Sequence, residues 1–369
     1  MLTFKSPDLY VNEPGALQRL GALTRQYGRR AYLIGGETAL KRTGATLEAS
    51  LKAEGIEVVV EINTGEVTLV NIEHYANKLS AAAPDFIVGA GGGKVLDLVK
   101  AVGERLELPV VTVPTIAATC AAWSALTILH DDEGRADGAL FLKASPRVIV
   151  ADTAVLAEAP RRYLASGIGD TLAKWYEVAL NLQDGEGGLD IQLSLHPARL
   201  ALEIIGRSGE AACRQAETGA SGEAFKEVVD AIIVLTGLAG TVGAGKRRAL
   251  VAHAIHDSLT HLEETKSSLH GEKVGFCLII QSLLEGREDI HELISTLLRY
   301  ELPVTLAELG IDREPQIIRV AEGSEIVPAP GGFAFPYDSG SVETAIRAAD
   351  ELGRQALKNI VSFSTSIGK

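Results

Sequence analysis

The chain changes character once, near its middle, and that change restricts the architecture more than any other feature. Short, mostly β-branched runs at 31–34, 56–62, 85–89 and 109–113 alternate with stretches of helical periodicity such as 39–54 and 70–82. A strand followed each time by a helix predicts a parallel sheet covered on both faces. One more apolar run, 148–150, closes the pattern. From about Pro160 apolar residues recur at three- and four-residue steps almost to the end, over 172–182, 198–206, 225–242, 247–261, 274–284 and 342–360. The expected fold is therefore α/β, an N-terminal nucleotide-binding domain with a parallel sheet (1–158), followed by an all-helical C-terminal domain (159–369). The segment 126–142, with Asp131-Asp132-Glu133-Gly134 near its centre, reads as a β-hairpin hanging from the first domain, and the Gly- and Pro-rich stretch 322–341 as a long loop.

Composition narrows the partners. With 46% hydrophobic and 22% charged residues over 369, the chain has ample length for sizeable cores and is not disordered. A net charge of -13 without any basic stretch argues against nucleic acid or an anionic membrane, and leaves a small metabolite as the expected partner. Cys120, Cys213 and Cys277 are widely spaced and form no CxxC pair, which suits a reducing cytoplasm and excludes a zinc ribbon. Residues 1–6 carry no apolar signal core, and no apolar run approaches the ~18 residues a spanning helix needs. A cytoplasmic location is the expectation.

Two groups of residues carry chemistry. The first is Val88-Gly89-Ala90-Gly91-Gly92-Gly93-Lys94, which follows an apolar run and opens a periodic helix. At such a junction, residues without Cβ let backbone amides approach a pyrophosphate, and the helix N-terminus adds about half a positive charge. The motif matches neither standard fingerprint: Lys94 stands where GxGxxG needs its last glycine, and Val95 where a Walker loop needs Ser or Thr. A tight structural turn would read the same way, with Asp97 and Lys100 as solvated helix residues. The second group is Asp170, His253 and His270. Two imidazoles and one carboxylate form a borderline-soft set that holds zinc or iron and leaves a coordination position open. Spacing alone favours packing or capping histidines, since three separate helices must converge.

Four segments together change that balance: Gly91-Gly92-Gly93-Lys94-Val95-Leu96-Asp97, the stretch Pro114–Ser124 (PTIAATCAAWS), Gly167-Ile168-Gly169-Asp170-Thr171-Leu172-Ala173-Lys174-Trp175-Tyr176-Glu177 and His270-Gly271-Glu272-Lys273-Val274. In order and separation they resemble the iron-containing (group III) alcohol dehydrogenase superfamily, in particular its glycerol dehydrogenase-like branch. The resemblance implies an active site in the cleft between the two domains, with a divalent zinc or iron ion on Asp170, His253 and His270. It implies NAD(P)(H) on Gly91, Gly92, Gly93, Lys94 and Asp97, with Thr115, Ile116, Ala117, Ala118 and Thr119 bordering the nicotinamide and Ser124 and Leu126 beyond. The acidic residue that would bond the ribose falls on Gly36. A glycine there removes the repulsion of a 2′-phosphate, while Glu37 is placed to restore it, so the cofactor expectation is NAD(P)(H), tilted to NADP(H).

Two departures bear on the substrate. Where glycerol dehydrogenases carry an aspartate over the substrate this chain has Cys120, and where they carry a hairpin tyrosine it has His130. Thr119-Cys120-Ala121-Ala122-Trp123 is more similar to the subgroup of hydroxycarboxylate dehydrogenases, which reduce 2-oxo acids. Losing a carboxylate and gaining an imidazole suits an anionic substrate. His256, one turn from His253, is a candidate proton relay or a group that orients the site; packing within its helix is the alternative. Glycerol dehydrogenase remains the alternative activity. A lyase like dehydroquinate synthase would bring more lysine and arginine near 115–120, where none stands. Apolar positions along 342–360 suit either a homo-oligomer contact, which is the expectation, or packing within the chain.

Overall fold

The computed structural model describes residues 3–180, 188–241, 250–324 and 333–367, with side chains to residue 360. Its strands are β1 (Leu9–Asn12), β2 (Arg30–Gly35), β3 (Glu57–Ile62), β4 (Phe86–Gly91), β5 (Val110–Pro114), β6 (Leu126–His130), β7 (Ala136–Phe141) and β8 (Val148–Ala151). Six of them form one sheet, ordered β1-β8-β5-β4-β2-β3, in which every pair is parallel. β4, β5 and β8 are buried at every position, which is why the central strands read as continuous apolar runs rather than as alternation. The antiparallel pair β6–β7 is the expected hairpin.

Helix Glu37–Ala53 follows β2 and packs with Leu47 and Leu51 on one face of the sheet. Helices Leu69–Ala82 and Gly93–Leu106 cover the opposite face through Tyr75, Leu79, Leu98 and Val102. The chain thus switches faces between the neighbouring strands β2 and β4, and such a switch opens a crevice at the carboxyl ends of the strands. Gly35-Gly36 and Gly91-Gly92 flank that crevice, tied by a bond from the Gly36 amide to the Ala90 carbonyl (3.3 Å).

From Thr153 onward every regular element among the described residues is helical. The parallel α/β layer followed by helices agrees with the sequence expectation, but details differ. β1 has no counterpart among the expected elements: four residues are too few to show a period, and the strand exists because it adds to the edge of β8. The helix expected from residue 198 begins at Leu189 and continues through Pro197 to Glu217. Proline in sequence marks a helix start, yet here Ser194, Ala198, Ala201 and Ile205 keep one buried stripe running across it. The ends of the expected elements at 181–182, 242 and 247–249, and residues 325–332 of the loop 322–341, lie outside the described residues. Val342, Ala345, Ile346 and Ala349 of helix Ser339–Ile367 are buried within the chain, so the apolar stripe there serves intramolecular packing. Among the described residues no helix is long and apolar enough to cross a membrane.

Candidate active site

Asp170 sits in the middle of helix Arg161–Leu180, His253 near the start of helix Val251–Thr260, and His270 at the first position of helix His270–Leu284. Glycines let these helices approach. A Cβ on Gly271 would stand 1.7 Å from the Ser166 carbonyl oxygen, and the Gly271 amide instead donates to Ser166 Oγ at 3.0 Å. That crossing sets His270 beside Asp170. Gly167 allows a second close approach: a Cβ there would meet the Ala117 carbonyl at 2.2 Å, so the loop after β5 lies directly on the helix that carries Asp170.

One donor atom from each of Asp170, His253 and His270 lies within 4.8 Å of the others. Asp170 is 2% exposed, and its Oδ1 makes no hydrogen bond among the described residues although three nitrogens surround it. These are Lys174 Nζ at 3.3 Å, His253 Nε2 at 3.5 Å and His270 Nε2 at 3.6 Å. Burial alone would raise the Asp170 pKa; the Lys174 charge and the two imidazoles outweigh it and hold the carboxyl well below its ordinary value.

Each histidine is braced from behind. His253 Nδ1 faces both oxygens of Glu177 at 2.8 and 2.9 Å, and the His253 backbone amide donates to Glu177 Oε1 at 3.1 Å. Burial lowers the His253 pKa, but Glu177 and Asp170 override it and raise it to about 9, so a proton and a metal ion compete for Nε2. His270 Nδ1 meets His256 Nε2 at 3.1 Å, and His256 Nδ1 meets Asp257 Oδ1 at 3.0 Å. Burial and the neighbouring His270 push His256 down to about 3, so it is a neutral imidazole that accepts from His270 and donates to Asp257. Both ligand candidates thereby have Nδ1 engaged and Nε2 turned to Asp170, as carboxylate–histidine support does at metal sites.

At the other end of the crevice, helix Gly93–Leu106 starts from Gly92 without any side-chain cap, so its first amides are open to an anion. A Cβ on Gly92 would press Ile116 Cδ1 at 2.9 Å, while one on Gly93 would meet Ala121 and Thr119 only at 3.6 and 3.7 Å. The glycine turn and the loop 115–121 are therefore in contact, and that loop also touches the Asp170 helix. One crevice runs from the glycine turn to the three metal-ligand candidates.

The comparisons with known proteins bear on that arrangement. Residues 7–153 match the family model described as iron-containing alcohol dehydrogenase. The glycerol dehydrogenase of Pseudomonas putida is 34% identical over 96% of this chain and 98% of its own length. The chain belongs to the iron-containing alcohol dehydrogenase family. Within it the chain stands in the glycerol dehydrogenase-like branch, for hydroxycarboxylate dehydrogenase A of Escherichia coli K12 is 35% identical over 83% of this chain and 84% of that one. A crystal structure of a probable glycerol dehydrogenase from Sinorhizobium meliloti 1021 superposes with a TM-score of 0.85, at 29% identity and with 95% and 99% of the two chains covered.

The remaining site residues of this family member take distinct places. Asp97 and Lys100, which read as solvated in sequence, are buried at 7% and 2% and paired at 2.7 Å. Lys100 also donates to the Ser124 hydroxyl and to the Ser124 and Leu126 carbonyls, and Asp97 accepts from the Ile128 amide, so this pair fastens the hairpin to helix Gly93–Leu106. The helical stripe hid them because charged residues usually face solvent. Lys94 pairs with Glu66 at 2.6 Å. Gly36 caps helix Glu37–Ala53, where a Cβ would make only ordinary contact with Val95 at 3.8 Å, and Glu37 is exposed in its first turn. Cys120 lies beside the cluster: burial raises its thiol to about 11, and Lys174 and Asp170 are the nearest charges acting on it, so it is neutral and no nucleophile. His130 does not supply the charge that the departure from tyrosine implied. Burial and Lys94 lower its pKa, Glu66 is its other strong neighbour, and it carries no positive charge at neutral pH. Sequence reasoning missed Glu177, Asp257 and Lys174 as site residues. Glu177 and Lys174 lie two turns and one turn beyond Asp170 on the same helix and Asp257 is next to His256, and that spacing was the available signal.

Proposed function

We propose that this alcohol dehydrogenase family member is a metal-dependent NAD(P)(H) oxidoreductase acting on a small 2-oxo acid and its 2-hydroxy acid. The observation that carries the substrate class is Cys120: a half-buried, neutral thiol stands next to the ligand cluster where a polyol-oxidising site would keep an acceptor carboxylate. A buried carboxylate there would repel a carboxylate substrate more strongly as water is excluded. Removing it favours 2-oxo acids.

A divalent ion fits this site, since Asp170 Oδ1 is buried without a hydrogen bond and two Nε2 atoms converge on it. Asp170, His253 and His270 would hold the ion, which would supply Lewis-acid polarisation of the substrate oxygen while the nicotinamide exchanges the hydride. The chain's own residues set the stage. Glu177 and the His256–Asp257 pair fix the two imidazole tautomers, which makes His256 an orienting group. The amides of Gly92, Gly93 and Lys94 would bind the pyrophosphate. Ile116, Ala117 and Thr119 would press the nicotinamide toward Asp170 and exclude water. Gly36 leaves room for a 2′-phosphate, so NADP(H) is accepted along with NAD(H). The division into residues 1–158 for the dinucleotide and 159–369 for the ion belongs to the same proposal.

Glycerol dehydrogenase is the second reading, favoured by the near full-length similarity to proteins of that name. Steady-state kinetics separate the two. On the oxo-acid reading, kcat/KM for 2-oxobutyrate exceeds that for dihydroxyacetone, and Cys120→Asp lowers the ratio by roughly ten- to a hundredfold, the value of one buried charge conflict. A wild-type preference for glycerol and dihydroxyacetone by such a margin gives the site to polyols.

A further inference from the structure

Lys174 places a cation beside the ligand cluster. It lies one helical turn beyond Asp170, its side chain is only 19% exposed, and its Nζ stands 3.3 Å from Asp170 Oδ1 and 3.3 Å from His253 Nε2. The ammonium forms an ion pair with the Asp170 carboxylate. An ammonium has three hydrogens to donate, and its two partners among the described residues are both atoms that a divalent ion would engage. An ion bound there would take the single lone pair of His253 Nε2 and leave an ammonium hydrogen free for a further anion.

Lys174 Nζ is a cation standing beside the ligand cluster, and an anionic group on the substrate next to its reacting carbonyl would meet it there.

We infer that Lys174 is the specificity residue that pairs with the carboxylate of a 2-oxo acid, binding the substrate at a second point beside the ion. This rests on the oxo-acid reading above and names the group that reads the acid. Because Nζ stands 3.3 Å from two of the ligand atoms, it is placed for a carboxylate adjacent to the carbonyl rather than one several carbons away.

The test compares wild type with Lys174→Gln and Lys174→Arg, each loaded with zinc and checked for metal content. Two ketones of one skeleton serve as substrates, 2-oxobutyrate and the neutral 1-hydroxy-2-butanone, and oxamate serves as a non-reacting probe in calorimetry. Loss of one charge-assisted hydrogen bond should lower the ratio of kcat/KM for the acid over the neutral ketone by about ten- to a hundredfold in Lys174→Gln, mostly through KM. Oxamate should weaken by a similar factor with the metal retained, and Lys174→Arg should recover part of both. An equal loss for both ketones, or unweakened oxamate in Lys174→Gln, overturns the assignment. Should wild type prefer the neutral ketone and dihydroxyacetone, the oxo-acid reading falls, and the oxamate affinities still decide whether Lys174 reads a carboxylate.

Discussion

The two ends of the crevice are built from different materials. On the proposed reading the glycine turn works through backbone amides at an uncapped helix start, where side chains matter mainly by their absence, as at Gly92 and Gly93. The ligand cluster would work through side chains from three helices, two of them braced from behind: His253 by Glu177, and His270 by His256 with Asp257. A backbone site needs only the strand-to-helix junction to form, whereas a side-chain site needs the helices to cross at one point and the imidazoles to be turned correctly. The first should be insensitive to any change that leaves the turn bare. The second should fail when either a ligand or a brace is lost.

The sharpest way to break the comparison is to remove a ligand. Asp170→Ala, His253→Ala and His270→Ala should each lose metal, by elemental analysis, and activity by roughly a thousandfold or more, since Lewis-acid stabilisation is worth several kcal/mol. Cofactor affinity measured by calorimetry should shift by no more than about twofold, because its holding groups lie on another element. Removing a brace should cost less. Glu177→Gln keeps the shape but weakens the pull on His253 Nδ1, and zinc affinity should drop about ten- to a hundredfold. Zinc binding indistinguishable from wild type in that variant would make Glu177 a packing residue. At the opposite end, Gly92→Val should weaken NAD(H) and NADP(H) on the order of tenfold, through the lost amide contacts and the collision with Ile116, while zinc stays bound. Unaltered affinity for both dinucleotides would reduce the loop to a structural turn.

The same contrast explains what the sequence disclosed. Glycines at a strand-to-helix junction are a local signal, so the turn at 91–93 and the crevice around it were legible from neighbouring residues. Asp170, His253 and His270 are not local, and their spacing alone favours packing; only the joint motifs make them a set. Asp97 and Lys100 went the other way, because their burial depends on a segment that folds back 24 to 31 positions later, from Ser124 to Ile128, and supplies the partners. His130 shows the limit of reading a substitution by residue type: an imidazole can carry charge, but burial beside Lys94 prevents it. On the proposed oxo-acid reading the positive charge comes instead from Lys174, which lies within the motif around Asp170. β1 and the path through Pro197 were invisible for a similar reason, since each is stabilised by an element far away in sequence.

The central claim is that Asp170, His253 and His270 hold one divalent ion. Crystals of the zinc-loaded protein, measured on both sides of the zinc absorption edge, test it most directly. One anomalous peak per chain is expected, about 2.0–2.2 Å from an Asp170 oxygen and from the Nε2 atoms of His253 and His270. A fully loaded crystal whose peak lies elsewhere, or whose ion is bound by fewer than two of these three residues, would contradict it.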